Sequence, residues 1–160
     1  MGKYSLYTDG SCSNDGLGGW AFIIVDEWGN PLRQVSGRAT QTTVNRMELN
    51  AVLSGLKKFD PNTAQVQVFS DSAYVVNCFL QRWYETWKLQ NWHTSKGPVK
   101  NLDLWIPLLQ HVAKFKHPIQ WTHVRGHTGN PFNELCDQLA QQARKGVVID
   151  GPVKWDGISS

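Results

Sequence analysis

Cysteine is scarce in this chain and nowhere paired: Cys12, Cys78 and Cys136 stand far apart, with no Cys-x-x-Cys spacing among them. An odd, scattered set excludes a disulfide framework and a zinc knuckle, and fits reduced thiols in a cytoplasmic protein. Long apolar runs are also missing, so neither a secretory leader nor a membrane-spanning segment is expected. Met1-Gly2 is not a myristoylation signal, because Leu6 stands where that motif needs Ser or Thr. No sign of charge dominates: 16 Lys plus Arg against 13 Asp plus Glu leave only +3, compatible with a polyanionic partner without demanding one. Repeats and low-complexity tracts are absent as well. What remains is a globular composition, 41% hydrophobic and 18% charged, which excludes a disordered chain. The 160 residues are most simply one domain.

Three strand-like stretches come first: Tyr4 to Thr8, Trp20 to Val25 and Leu32 to Gly37, with "DEWGNP" as the second turn. Strands so close together imply an antiparallel meander. In "TTVNRMELNAVLSGLKKF", Leu49, Val52, Leu53 and Leu56 recur at helical spacing. "QVQVFSD" alternates like a strand and ends at Asp71. Ser72 to Tyr84 and "NLDLWIPLLQHVAKF" read as helices, the latter containing Pro107, "IQWTHV" as a fifth strand, and about Asn133 to Lys145 as the last helix. The order β-β-β-α-β-α-α-β-α indicates an α/β fold: a five-stranded mixed sheet, three strands antiparallel plus two parallel, flanked by helices. The tail 146–160, with three glycines and Pro152, reads as a loosely attached extension.

Four acids stand at informative places. Asp9 ends the first strand and Asp71 the fourth, so the two lie side by side if those strands are parallel neighbours. Glu48 falls at the edge of the apolar stripe of the helix between them, and Asp137 lies one turn after Asn133. Each has an ordinary explanation: an Asp-Gly turn for Asp9, a helix cap for Asp71, an ion pair for Glu48, a solvated face for Asp137. Those explanations are independent of one another, whereas convergence on one sheet edge accounts for several at once. Crowded carboxylates repel, and a divalent cation removes that cost. An all-oxygen set suits Mg²⁺ or Mn²⁺, and two such ions about 3.5–4 Å apart serve phosphodiester cleavage.

"YTDGSC", "NRMEL", "FSDSAYV" and "VRGHTGNPFNELCDQLA", in that order and spacing, resemble ribonuclease H of type 1 from about Tyr4 to Lys145. The resemblance implies a catalytic domain over 1–145 that cuts the RNA strand of RNA/DNA hybrids, leaving 5′-phosphate and 3′-hydroxyl ends. By the same likeness Asp9 bridges two Mg²⁺ ions, with Mn²⁺ a substitute. Glu48 and Asp71 complete one site, Asp137 serves the other, and Glu48 senses the 2′-hydroxyl. His127, in a glycine-rich loop, matches a mobile histidine that assists proton transfer or product departure. The other histidines carry no such reading.

The stretch "RWYETWKLQNWHTSKGPVK", about 80–100, is similar to the family's basic, Trp-bearing protrusion. Trp87, Trp92, Lys88, Lys96 and Lys100 are expected to face the hybrid, with Trp83 turned inward. Cys12, Asn14, Thr43, Asn45 and Asn133 match positions that touch the duplex. Turn and cap chemistry explains Asn14 and Asn133 equally well. A hybrid-binding module without catalysis is disfavoured, since a pure binder has no need of crowded acids; another metal-dependent nuclease or strand-transfer enzyme would share the acids but not the protrusion. The reading is a monomer with no obligatory protein partner and no membrane. Val44 and Ala73 stand where relatives carry amides, and the protrusion has fewer cations than the most basic examples. Hybrid binding is therefore expected to be weaker and more salt-sensitive than in richly basic relatives. A salt titration of affinity checks this, and an affinity that matches those relatives at every salt concentration would contradict it.

Overall fold

Asp26 shows how the meander is assembled. Its carboxylate accepts from the backbone N–H of Trp28 (3.0 Å) and Asn30 (2.8 Å), and Gly29 takes the left-handed φ of 87° that closes the turn. This turn joins β2 (Gly18–Asp26) to β3 (Pro31–Ala39), and β1 (Lys3–Cys12) pairs with β2 on the other side. The computed structural model describes residues 2–125 and 129–152. After β3 come α1 (Val44–Leu56), β4 (Gln65–Ser70), α2 (Ala73–Leu80), α3 (Trp83–Leu89), β5 (His93–Thr94) and β6 (Gly97–Pro98). Then follow α4 (Leu102–Ala113), β7 (Gln120–His123), α5 (Pro131–Arg144) and β8 (Asp150–Gly151).

The main sheet has the order β7-β4-β1-β2-β3-β8, parallel where β4 meets β1 and β7 and antiparallel elsewhere. Helices cover both faces, so central strands are apolar on both sides. On β2, Phe22 and Ile24 join the larger core with Leu49, Val52, Leu56 and the fully buried Trp105. Ala21, Ile23 and Val25 point the other way, to Cys136, Leu139 and Ala140 of α5. Trp105 keeps its indole N–H satisfied by donating to the Tyr74 hydroxyl at 2.7 Å.

The mixed sheet flanked by helices is as expected, but it has six strands and not five. The sixth comes from the tail. Gly146, at φ 109°, ends α5, and the chain returns along β3: Ser36 N–H donates to the Ile149 carbonyl (2.8 Å), and Ile149 N–H to the Ser36 hydroxyl (2.9 Å). Ile149 packs on the α5 side, and an exposed Arg33–Asp150 pair at 2.8 Å adds at most about 1 kcal/mol. Within the tail 146–160, backbone pairing and one apolar anchor tie the stretch from Ile149 to Gly151 to the sheet. The helix read over Ser72 to Tyr84 is also two helices. Arg82 adopts a left-handed φ of 55°, which breaks the run and turns Trp83 onto Tyr74.

No helix among the described residues is long and apolar enough to cross a membrane. The approach of α5 to β2 depends on Gly19, where a Cβ would lie 2.1 Å from the Ala140 carbonyl oxygen and 2.5 Å from the Arg144 nitrogen. Both neighbours are helix backbone and cannot swing aside. Gly19→Ala is therefore expected to lower stability by about 2–3 kcal/mol in urea unfolding.

Candidate active site

Parallel pairing between β1 and β4 stops at Thr8 and Ser70. Asp9 and Asp71 are the next residues along each segment, which brings the two acids together. Asp9 does not end its strand, as the sequence reading had it: β1 continues to Cys12, with Asp9 opposite Ala21 of β2. The Gly10 N–H lies just beyond the last parallel pair and donates to both Asp9 Oδ1 and Glu48 Oε1, at 2.8 Å each.

Glu48 reaches this point because Gly10 lets α1 come close. A Cβ on Gly10 would sit 2.5 Å from the Glu48 nitrogen and 2.7 Å from the Met47 carbonyl carbon. Thr43 caps α1 by accepting from Arg46 N–H, and Arg46 clamps Asp103 of α4 through two nitrogens, at 2.9 and 2.7 Å. Glu48 reaches the sheet end from α1 and is buried there, 4% exposed. Its second oxygen, Oε2, is 3.5 Å from the Ser70 hydroxyl.

Asp9, Glu48 and Asp71 each place a carboxylate oxygen within 4.8 Å of the others. Asp9 is 2% exposed and its Oδ2 has no hydrogen-bond partner. Burial pushes the Asp9 carboxyl up from 3.8 to about 7, with the Asp71 charge adding to the rise. Glu48 is held well above the ordinary carboxylate range, first by burial and then by the Asp9 charge. Burial also raises Asp71, and Asp137 adds to it. Asp137, half-buried on α5, acts electrostatically on both Asp9 and Asp71 and takes a hydrogen bond from Gln141 at 3.0 Å. A hard, all-oxygen set with an orphaned buried oxygen suits a divalent cation of the Mg²⁺ or Mn²⁺ kind. His127 lies outside the described residues.

Around the acids the other expected residues divide. Cys12 ends β1, its thiol 3.4 Å from the Thr42 carbonyl; Asn14 is exposed in the β1–β2 turn, and Asn45 is half-buried in the first turn of α1. Asn133 is 5% exposed with an unpartnered Oδ1. Lys88, Lys96 and Lys100 are exposed. Trp87 is not turned outward: it meets Trp105 edge-on at 5.4 Å, because the break at Arg82 rotates α3 onto the core. Trp92 is half-buried and lines a 260 Å³ groove against Ile106 and Leu109 of α4. Sequence reasoning missed the Gly10 amide as a holder of two acids. Its only signal was "DG", which reads first as a turn. A larger cleft of 460 Å³, lined by Lys3, Gln65 and His117, lies at the opposite ends of β1 and β4 and does not touch the acids.

The RNase H family profile matches residues 1–145. The chain is 47% identical to the ribonuclease H of Acetivibrio thermocellus over 144 residues, covering 88% of this chain and 93% of that one. It is 44% identical to the ribonuclease H of a Thermoanaerobacter species, over 88% of each. Among solved structures, LC9-RNase H1, a type 1 RNase H with the type 2 active-site motif, superposes with a TM-score of 0.80 at 29% identity, over 96% of this chain and 77% of that one. A foamy viral protease-reverse transcriptase in complex with RNA/DNA hybrid superposes with a TM-score of 0.75 over 91% of this chain and 20% of that one. At 19% identity it shows the fold alone.

A carboxyl whose folded pKa exceeds its unfolded value stabilises the fold below the unfolded value and loses that contribution as pH rises toward the folded one. For Asp9 that window runs from 3.8 to about 7. In calorimetry with chelator present, Asp9→Asn is expected to match wild type near pH 4 and to melt several degrees higher by pH 8. Mg²⁺ should narrow this gap at pH 8, by relieving the repulsion in the wild type.

Proposed function

Because the chain belongs to the RNase H family and is a ribonuclease H nuclease, we propose that it hydrolyses the RNA strand of RNA/DNA hybrids at the Asp9 cluster, with two divalent cations and 5′-phosphate and 3′-hydroxyl products. The observation that carries the reading is the gathering of Asp9, Glu48 and Asp71 within 4.8 Å, with Asp9 Oδ2 buried and unpartnered. Asp9 has one oxygen tied to the Gly10 N–H and one without a hydrogen-bond partner, and would help hold both cations. Glu48 and Asp71 would complete the ligand set of one cation, and Asp137 of α5 would serve the other. Bound there, the cations would supply a nucleophilic water at neutral pH and neutralise charge on the leaving oxygen, with Mg²⁺ the natural choice and Mn²⁺ a substitute.

The chain's own residues do the positioning. Glu48, held by Gly10, presents an acceptor for the 2′-hydroxyl that distinguishes RNA from DNA. His127 carries a proton to or from the reacting groups or aids product departure. Cys12, Asn14, Thr43, Asn45 and Asn133, from the β1–β2 turn, the start of α1 and the start of α5, line the approach of the duplex. Lys88, Lys96 and Lys100 attract its phosphates, Trp92 borders that surface, and Trp87 supports it from beneath. The protein acts as a monomer in the cytoplasm.

The test is a labelled hybrid incubated with Mg²⁺. Cleavage of the RNA strand alone is expected, absent with chelator and reduced more than about a hundredfold in Asp9→Asn. Hybrid binding with no cleavage under Mg²⁺ or Mn²⁺ would replace this reading with that of a binding module.

A further inference from the structure

In "QVQVFS" the buried positions of β4 alternate: Val66, Val68 and Ser70, all on the face that α1 covers. Periodicity demands a third apolar side chain there, and the strand supplies a hydroxyl that is 0% exposed. A buried hydroxyl costs stability unless it is partnered. Its oxygen accepts from the Ser72 N–H at 3.0 Å, which leaves its proton to donate, and the acceptor facing it is Glu48 Oε2 at 3.5 Å.

We infer that Ser70 is a positioning residue for cation binding: its hydroxyl sets the orientation of the Glu48 carboxylate toward Asp9 and Asp71. The geometry is that of a two-point hold. Gly10 N–H fixes Oε1 from β1, and Ser70 fixes Oε2 from β4, so the plane of the carboxylate is tied to the two strands whose ends carry the other acids. Because Ser72, whose N–H binds the same hydroxyl, is also the N-cap of α2 and accepts from Val75 N–H at 3.2 Å, Ser70 joins Glu48 to the turn that carries Asp71. At 3.5 Å the contact is longer than an ordinary hydroxyl bond. The loss of a hydroxyl that orients a ligating carboxylate lowers metal affinity by roughly ten- to a hundredfold.

The inference rests on the reading of the acids as cation ligands, and the experiment separates the two. Calorimetric titration of the full chain with Mn²⁺ alone, without nucleic acid, is compared for wild type, Ser70→Ala and Ser70→Thr. About tenfold weaker binding is expected in Ser70→Ala, with Ser70→Thr, which keeps the hydroxyl, within about twofold of wild type. In hybrid cleavage, the Mg²⁺ concentration for half-maximal rate should rise in Ser70→Ala while the rate at saturating Mg²⁺ changes little. Loss of melting temperature with unchanged Mn²⁺ affinity would overturn the role of Ser70 and leave the cation site standing. Ser70→Thr binding as weakly as Ser70→Ala, with a native circular dichroism spectrum, would also overturn it. Failure of the wild type to bind Mn²⁺ at all would overturn the cation reading itself, and Ser70 with it.

Discussion

Everything at the acidic end of this molecule follows from where one parallel ladder stops. β1 and β4 pair through Thr8 and Ser70 and then part, so the two following aspartates stand side by side. A third acid, Glu48, is added from α1, close enough for one backbone N–H to serve it and Asp9 together. Three carboxylates in so small a buried space repel, and protons or cations must offset that repulsion. Burial first, and neighbouring charge after it, raises the Asp9, Glu48 and Asp71 carboxyls.

The rest of the fold withstands that repulsion by clamping the strands from both sides. Phe22 and Ile24 engage the α1 side, and Ala21, Ile23 and Val25 engage α5. Two glycines set the spacing: Gly10 admits α1 and Gly19 admits α5. Arg46 ties α1 to α4, and the Tyr74 hydroxyl accepts from both Asn101 and Trp105 of the α4 segment. The result is a rigid frame in which the acids hold their places with few options to spread apart. Preorganisation of this kind spares a site reorganisation at the moment of reaction.

The protrusion is built on a different economy. Its tryptophans are drawn toward the core, Trp87 against Trp105 and Trp92 along α4, while its lysines remain in solvent. Aromatic area fixes the platform and leaves the charges exposed. Sequence alone does not separate those duties, because Trp83, Trp87 and Trp92 look alike until the left-handed turn at Arg82 sets the direction of α3.

The meander, the parallel strands after it, the mixed sheet and the meeting of Asp9, Glu48 and Asp71 at one sheet edge were legible in the sequence. Period-2 and period-3.6 patterns are local, and the motifs lie in a fixed order. The sixth strand was not legible, since Asp150–Gly151 is a two-residue pairing made possible only by β3 being an open edge. The continuation of β1 past Asp9 was hidden for a similar reason: its pairing partners, Gly18 to Ala21, are 9 to 12 residues from Asp9 in sequence and include two glycines that look like a turn. Sequence by itself determined which residues carry charge and which carry the core. Tertiary structure decided which charges share one hydrogen-bond donor, which tryptophans face inward and how close α1 may come, because each depends on contacts between segments far apart in the chain.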